Sequence, residues 1–298
     1  MSDPQPSEPE PILAPVPVRP RRLIYLGTPD VAVPPLRALV TAGFDVALVI
    51  TRADKRRGRG TTLSPSPVKA AATELGLPVS HRVDDALQVD PDLSDCLGVV
   101  VAFGQLIKPH VLEKLAFVNL HFSLLPRWRG AAPVERALLA GDAETGVDLM
   151  RLEVGLDTGP IFARTVVPIE PRATLTSLRT ELVRIGSDML VSELRRGLGA
   201  PIDQVGEPTY ASKIDPTELE IDWSLPVERI DRLVRLGGAW TTFRGKRLKI
   251  IEASLVANDA ATAPTLVPVT VQPEGKAPMT FSAWRNGARP DADELFGS

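Results

Sequence analysis

An α/β fold, with a mostly parallel, doubly wound sheet followed by a smaller β-rich domain, is predicted on three observations. Short apolar runs alternate with segments of helical periodicity from Leu23 to about residue 200, as expected of strands joined by crossover helices. Beyond Pro201 the aromatic residues Tyr210, Trp223, Trp240, Phe243 and Trp284 gather, and strand-like stretches replace the long helices. The length of 298 residues suits one large or two modest domains. The expected division is a disordered proline-rich tail over residues 1–22, a catalytic-sized domain over 23–200 and a small domain over 207–298.

The elements follow in order. Residues 1–22 carry seven prolines and too little apolar surface to offset their ordering entropy. Residues 23–26 form a short apolar run, and a helix follows with Pro34 and Pro35 in its first turn and Gly43 as its stop. Residues 45–51 read as a buried strand. Ser66 and Pro67 open a second helix that Gly76 closes. Residues 97–103 and 117–121 are strands, 131–140 a helix and 146–154 a strand. Residues 174–197 place Leu175, Leu178, Leu182, Ile185, Met189 and Leu194 at helical spacing. In the last third, residues 227–236 read as helix and 246–256 as strand.

Composition removes several classes. With 44% hydrophobic and 24% charged residues, a disordered or collagen-like chain is excluded. The lone Cys96 excludes an internal disulfide and suits a reducing, cytoplasmic compartment. Three histidines and one cysteine make no recognisable zinc spacing, so no metal is expected. A net charge of −3 rules out a uniformly basic coat but leaves room for local patches. No apolar run is long enough to span a bilayer.

Four places carry candidate chemistry. The turn Gly27-Thr28-Pro29-Asp30 follows the first strand, yet it lacks the glycine spacing of a dinucleotide site and Pro29 removes a backbone donor. Arg52, Lys55, Arg56, Arg57 and Arg59 crowd a loop at the carboxyl edge of a strand, where open sheets place ligands and a phosphate backbone can be met. The bland reading is a solvated loop. Asn119 and His121 lie two apart on one strand, so both leave the same face. They are either packed polar groups or a pair of donors to one developing oxyanion. Gly155-Leu156-Asp157-Thr158-Gly159 holds a carboxylate in a tight turn; an aspartic protease would need a second copy, which is absent.

The second domain adds a local basic excess. Residues 227–251 hold seven basic side chains against two acidic ones. Arg229, Arg232 and Arg235 recur every third residue of the predicted helix, offering either a solvated face or a polyanion-binding one.

Taken together, these segments resemble the methionyl-tRNA formyltransferases, within the wider folate-dependent formyltransferases. The resemblance rests on Gly27-Thr28-Pro29-Asp30, Gly58-Arg59-Gly60, Ser64 to Lys69, Val118 to Pro126, Arg127-Trp128-Arg129-Gly130-Ala131-Ala132-Pro133 and Gly155 to Gly159. Narrower marks follow at Thr209 to Ile214, Ile221-Asp222-Trp223 and Gln272 to Lys276. It implies a Rossmann-like catalytic domain and a small OB-like β-barrel. It also implies formyl transfer from 10-formyltetrahydrofolate to methionyl initiator tRNA in translation initiation, by a cytoplasmic monomer with no membrane partner. The implied catalytic residues are Asn119, His121 and Asp157. The folate-binding stretch maps onto Ser123, Leu124, Leu125 and Pro126, and Phe103, Leu106 and Ile107 are further candidates for an apolar pterin slot. The tRNA-binding candidates are Arg52, Lys55, Arg56, Arg57, Arg59, Lys213, Arg232 and Arg235.

Three departures stand out. Lys55 replaces the family's arginine and loses its bidentate fork. Phe122 stands where many members have glycine, and the second domain looks shortened around Leu236-Gly237-Gly238 and residues 265–271. Other readings are a formyltransferase acting on a nucleotide-linked amino sugar, a formyltetrahydrofolate hydrolase, and a non-catalytic RNA-binding relative.

Overall fold

Apolar runs that are buried on both faces build the centre of the structure, a computed structural model that describes residues 11–56, 63–256, 264–291, 294 and 296–297. Strand β1 (Arg22–Gly27) leads to helix α1 (Val33–Thr41), whose prolines occupy its first turn. Strand β2 (Val46–Ile50) is followed by helix α2 (Pro67–Glu74), where Ser66 Oγ caps the Lys69 amide at 3.0 Å. Strands β3 (Val79–Ser80), β4 (Cys96–Val101) and β5 (Ala116–His121) come next. Helix α3 (Pro133–Ala140), strands β6 (Glu144–Arg151) and β7 (Ile161–Pro168), and helix α4 (Leu175–Arg196) complete the first two-thirds of the chain.

These strands form one seven-stranded sheet in the order β7-β6-β5-β4-β1-β2-β3. The pairs β3–β2, β2–β1, β1–β4 and β4–β5 are parallel, and β5–β6 is antiparallel. The chain runs outward from β1 through β2 to β3, then returns to the opposite side of β1 as β4. That reversal is a topological switch point, and the crevice outside the carboxyl ends of such strands is where open sheets bind ligands. Gly98 lets β4 and β5 approach: a Cβ there would meet the Phe117 ring at 1.9 Å.

Two units make up the chain. One comprises Met1–Ala131, Gly146–Val166 and Glu181–Thr209; the other comprises Ala132–Thr145, Val167–Thr180 and Tyr210–Ser298. The first unit has a core of Ile24, Leu26, Ile50, Val100, Leu115 and Phe117, among others.

In the second unit, helix α5 (Val227–Leu236) and helix α6 (Phe281–Ala288) accompany an antiparallel sheet of strands β8 (Trp240–Phe243), β9 (Lys246–Val256), β10 (Thr265–Pro273) and β11 (Met279–Thr280). Ile230 and Val234, four apart on α5, pack with Phe243, Leu248, Ile250, Val271 and Trp284. Phe243 meets Trp284 edge-on at 5.0 Å, and Phe281 stacks on the same ring at 5.4 Å. The small barrel expected here is, among the described residues, an open sheet of four strands; the terminal strand β11 has only two residues and does not return to β8.

The tail expectation changes for residues 11–22. Leu13 packs against the first unit's core, the Ala14 amide donates to the Leu112 carbonyl at 2.9 Å, and Arg151 donates to the Ala14 carbonyl at 3.1 Å. The Leu198 amide donates to Val18 O at 2.8 Å, and Arg22 already belongs to β1. Prolines lower the entropy lost on docking such a segment, which sequence hydrophobicity alone does not register. Residues 1–10 lie outside the described set.

Candidate active site

The carboxyl end of β5 supplies the first two site residues. Because side chains alternate along a strand, Asn119 and His121 emerge on one face while Leu120 turns away and is buried beside Gly186. Asp157 arrives from the loop after β6. Its φ of +51° places it in the left-handed region, which aspartate tolerates better than most residues. Gly159 makes that loop fit: a Cβ there would lie 2.1 Å from the Arg151 carbonyl oxygen.

The three groups converge. Asn119 Nδ2 donates to Asp157 Oδ1 at 3.4 Å, and His121 Nδ1 lies 3.7 Å from Asp157 Oδ2. The Gly130 amide donates to Asp157 Oδ2 at 2.8 Å. His121 Nε2 is 3.0 Å from the Trp128 carbonyl oxygen. A carbonyl has no proton to give, so Nε2 carries a hydrogen, and Nδ1 is the ring nitrogen turned towards Asp157 and the site. The sequence suggested that imidazole and amide both donate to one oxygen. With Nε2 committed to Trp128, His121 can donate into the site only through Nδ1, when that nitrogen carries a proton.

The segment that receives His121 is itself held in an uncommon conformation. Trp128 has φ of +65°, costly for a bulky residue, and its amide donates to Thr209 Oγ1 at 2.9 Å. The Arg129 amide donates to the Thr209 carbonyl at 2.8 Å. Gln204 Nε2 donates to the carbonyls of Asp157 and Gly159 at 2.8 and 2.9 Å, while its Oε1 accepts from Arg129.

The Ser-Leu-Leu-Pro turn sits beside this cluster in sequence and is fixed from within. Ser123 Oγ, fully buried, donates to the Arg127 carbonyl at 2.6 Å. The Leu125 amide donates to Asp148 Oδ2 at 2.8 Å, and Arg164 donates both to Asp148 and to the Leu125 carbonyl. The Leu124 side chain covers Gly146, and Leu125 and Pro126 are buried. Of the remaining slot candidates, Phe103 and Ile107 are core residues at 5% exposure each, and Leu106 projects into solvent at 78%. A slot wall must be partly exposed, so exposure separates Leu106 from its two neighbours; apolar character alone did not.

The tRNA candidates scatter in character. Lys55 and Arg56 are exposed and pair with Leu63 and Ser64 in a two-residue antiparallel ladder. Arg52 Nε is buried without a hydrogen-bond partner among the described residues, and Arg57 and Arg59 lie outside them. Lys213 is exposed. Arg232 and Arg235 differ from the polyanion face that their spacing suggested. Arg235 pairs with buried Asp231 at 2.8 Å and donates to the Ala173 carbonyl, and Arg232 donates to the Leu139 carbonyl. Helical spacing states which residues share a face, not what covers it.

Sequence reasoning missed Gln204, Thr209, Asp148 and Arg164. Asp148 interrupts a strand that the sequence does show, but Arg164 lies on a strand it does not, so their pairing left no signal. Thr209 stands among the marks of the family resemblance but was given no role there, and for Gln204 there was no signal at all. Among the described residues no His, Cys, Asp or Glu cluster is placed to hold a metal, and no helix is long and apolar enough to cross a membrane.

Comparison with known proteins identifies the family. Residues 21–194 match the formyl transferase family and residues 213–267 match the formyl transferase C-terminal domain. A methionyl-tRNA formyltransferase of Roseobacter denitrificans is 41% identical over 303 residues, covering 92% of this chain and 98% of the relative. Among solved structures, a sugar 3N-formyl transferase in the presence of dTDP and 5-N-formyl-THF shares the fold with a TM-score of 0.65 at 18% identity, covering 87% of this chain and 99% of the other. The methionyl-tRNA formyltransferase from Clostridium thermocellum does so at 0.53 and 18% identity, covering 83% and 99%. This chain belongs to the methionyl-tRNA formyltransferase family.

Proposed function

We propose that this chain transfers the formyl group of 10-formyltetrahydrofolate to the α-amino group of methionyl initiator tRNA, giving the formylated tRNA used in translation initiation. The observation that carries the reading is the convergence of Asn119, His121 and Asp157 at the carboxyl edge of the sheet. The acceptor is argued from the 41% identical relative named above.

The co-substrate supplies an electrophilic formyl carbon. Attack by the amine drives negative charge onto the formyl oxygen and leaves a surplus proton on the attacking nitrogen. A free α-amino group titrates near pH 8, so a useful neutral fraction exists at pH 7 and no enzyme nucleophile is needed. Asn119 has two N–H groups; one points to Asp157 and the other serves the charged oxygen. His121 takes the amine's proton at Nδ1, because Nε2–H is held by Trp128, and the resulting imidazolium lies beside Asp157 Oδ2. As the carbon–nitrogen bond to the folate breaks, the same proton passes to the departing nitrogen. Asp157 orients His121 throughout, steadied by the Gly130 amide.

For the folate, half-buried Leu124, held in the internally braced Ser123–Pro126 turn, is the apolar wall that a flat, polar-edged ring can meet. Lys55, Arg56 and Lys213 are the exposed basic residues available to the tRNA backbone.

The test is formylation by the purified chain with 10-formyltetrahydrofolate and methionyl initiator tRNA, against uncharged tRNA, a nucleotide-linked amino sugar and water alone. Formylation of the charged tRNA alone is expected. Preference for the amino sugar, or formate release without an acceptor, overturns the reading.

A further inference from the structure

Between the end of α4 and Tyr210 the chain has almost no regular structure, yet it makes some of the most specific contacts in the first unit. Ile202 exchanges two backbone hydrogen bonds with Ile161, both 2.8 Å, which fixes the segment beside the start of β7. Two residues on, Gln204 makes four hydrogen bonds to two separate loops. Its Oε1 accepts from Arg129 Nε at 3.1 Å and Nη2 at 2.7 Å; its Nε2 donates to Asp157 O at 2.8 Å and Gly159 O at 2.9 Å. Every polar atom of the amide is used in the sense its chemistry demands. Five residues later Thr209 accepts from the amides of Trp128 and Arg129 and donates its own amide to the Pro126 carbonyl at 3.2 Å.

The loops so joined carry the partners of His121 and Asp157, two of the three proposed catalytic side chains. Arg129 lies between Trp128, whose carbonyl accepts from His121, and Gly130, whose amide donates to Asp157. On the other side, Gln204 grips the peptide of Asp157 itself, at a residue held in the left-handed region. A left-handed aspartate and a left-handed tryptophan persist only when their surroundings over-determine them.

We infer that Gln204 is a positioning residue for formyl transfer: by tying Arg129 to the backbone of Asp157 and Gly159, it sets the Asp157 carboxyl against His121 and Asn119. The inference rests on Asp157 working as proposed above. Gln204 touches neither the amine nor the formyl group, so its loss misplaces the reacting groups without removing one.

Gln204→Glu isolates the effect. The carboxylate keeps acceptors for Arg129 but has no N–H for the two carbonyls, at nearly unchanged volume. Gln204→Asn retains both kinds of group on a shorter stem and serves as a second probe, with thermal unfolding of each variant as the folding check. The expected result for Gln204→Glu is a kcat lower by roughly 10- to 100-fold, the scale of an ångström-sized misplacement, with KM for 10-formyltetrahydrofolate within about twofold. Combining it with Asp157→Asn adds little further loss, since both act through one group. A folded Gln204→Glu or Gln204→Asn enzyme with wild-type kcat overturns the inference, as does a loss that multiplies fully with that of Asp157→Asn. If Asp157→Asn alone keeps full turnover, the catalytic reading itself has failed, a different result.

Discussion

Arg164 and Asp148 face each other from the adjacent strands β7 and β6, and between them they satisfy both backbone polar groups of Leu125. Asp148 is fully buried, accepting the Leu125 amide and two guanidinium N–H groups, and this hydrogen bonding raises the Arg164 pKa above its ordinary value. Asp148→Ala should therefore lower stability by about 2–4 kcal/mol, since it orphans a buried amide and breaks a half-buried pair. It should also raise KM for 10-formyltetrahydrofolate more than it lowers kcat, because the loosened turn is the folate-binding candidate. Denaturant unfolding and initial rates check both; an unchanged unfolding midpoint sinks the argument.

Catalytic roles separate from binding roles in the kinetics. Asn119→Ala and Asp157→Asn are each expected to reduce kcat by about 10²–10³-fold, the scale of losing an oxyanion donor or its support. The folate KM should move by only a few-fold. Equal losses in kcat and affinity would assign these residues to binding alone.

Acid should weaken the second unit through its paired carboxylates. Glu218 is held below its ordinary value of 4.5, foremost by its hydrogen bonds to Arg136, and Asp215 below 3.8, foremost by Thr217. A carboxyl depressed by folding contributes stability that is complete above the unfolded pKa and lost as pH falls through the folded one. Thermal midpoints should thus decline below about pH 4.5, and Glu218→Gln should flatten that decline. An equally steep decline in the variant would remove Glu218 from the explanation.

Charge in α5 and charge in the basic loop should answer differently to substitution. Arg235→Gln leaves buried Asp231 with Arg172 as its other ion-pair partner and should cost about 2 kcal/mol of stability, with no change in the salt dependence of tRNA binding. Lys55→Ala and Arg56→Ala should leave stability alone and each reduce the log–log salt slope by about 0.7–0.9. Filter binding across a salt series discriminates the two patterns; a shallower slope in Arg235→Gln contradicts this assignment.

Deletion to residue 20 should destabilise the protein relative to deletion to residue 10. It removes Leu13 from the core, the Ala14 bonds to Leu112 and Arg151, and the Val18 bond to Leu198. A difference of several degrees in melting temperature is expected, given about 2–4 °C per kcal/mol at this size. Coincident melting curves would show that these contacts contribute nothing.

Much of the parallel sheet was legible because its strands are apolar throughout. The run at residues 97–103 corresponds to β4, that at 117–121 to β5, and the leucine spacing of 174–197 to α4 within a residue at each end. Strand β7 escaped because it lies at the sheet's edge and carries Arg164, whose partner is visible only once β6 lies beside it. Within the site, the period of two was enough to put Asn119 and His121 on one face. That Asp157 joins them, 36 residues beyond His121, came from family resemblance and not from spacing. The brace of Gln204 and Thr209 was illegible for a plain reason: apart from the Arg129 guanidinium it reads backbone groups, which every sequence possesses.

The Trp128 carbonyl has a consequence for timing. An imidazole pinned by one nitrogen cannot rotate to relay charge from one side to the other, so on the proposed chemistry it must release its proton through the same port that admitted it. Donor and recipient therefore visit one spot in succession, which the tetrahedral intermediate permits because the incoming amine and the outgoing folate nitrogen are bonded to the same carbon. A single-gated ring thus suits an exchange between two neighbours on one carbon and rules out a relay from one side of the imidazole to the other.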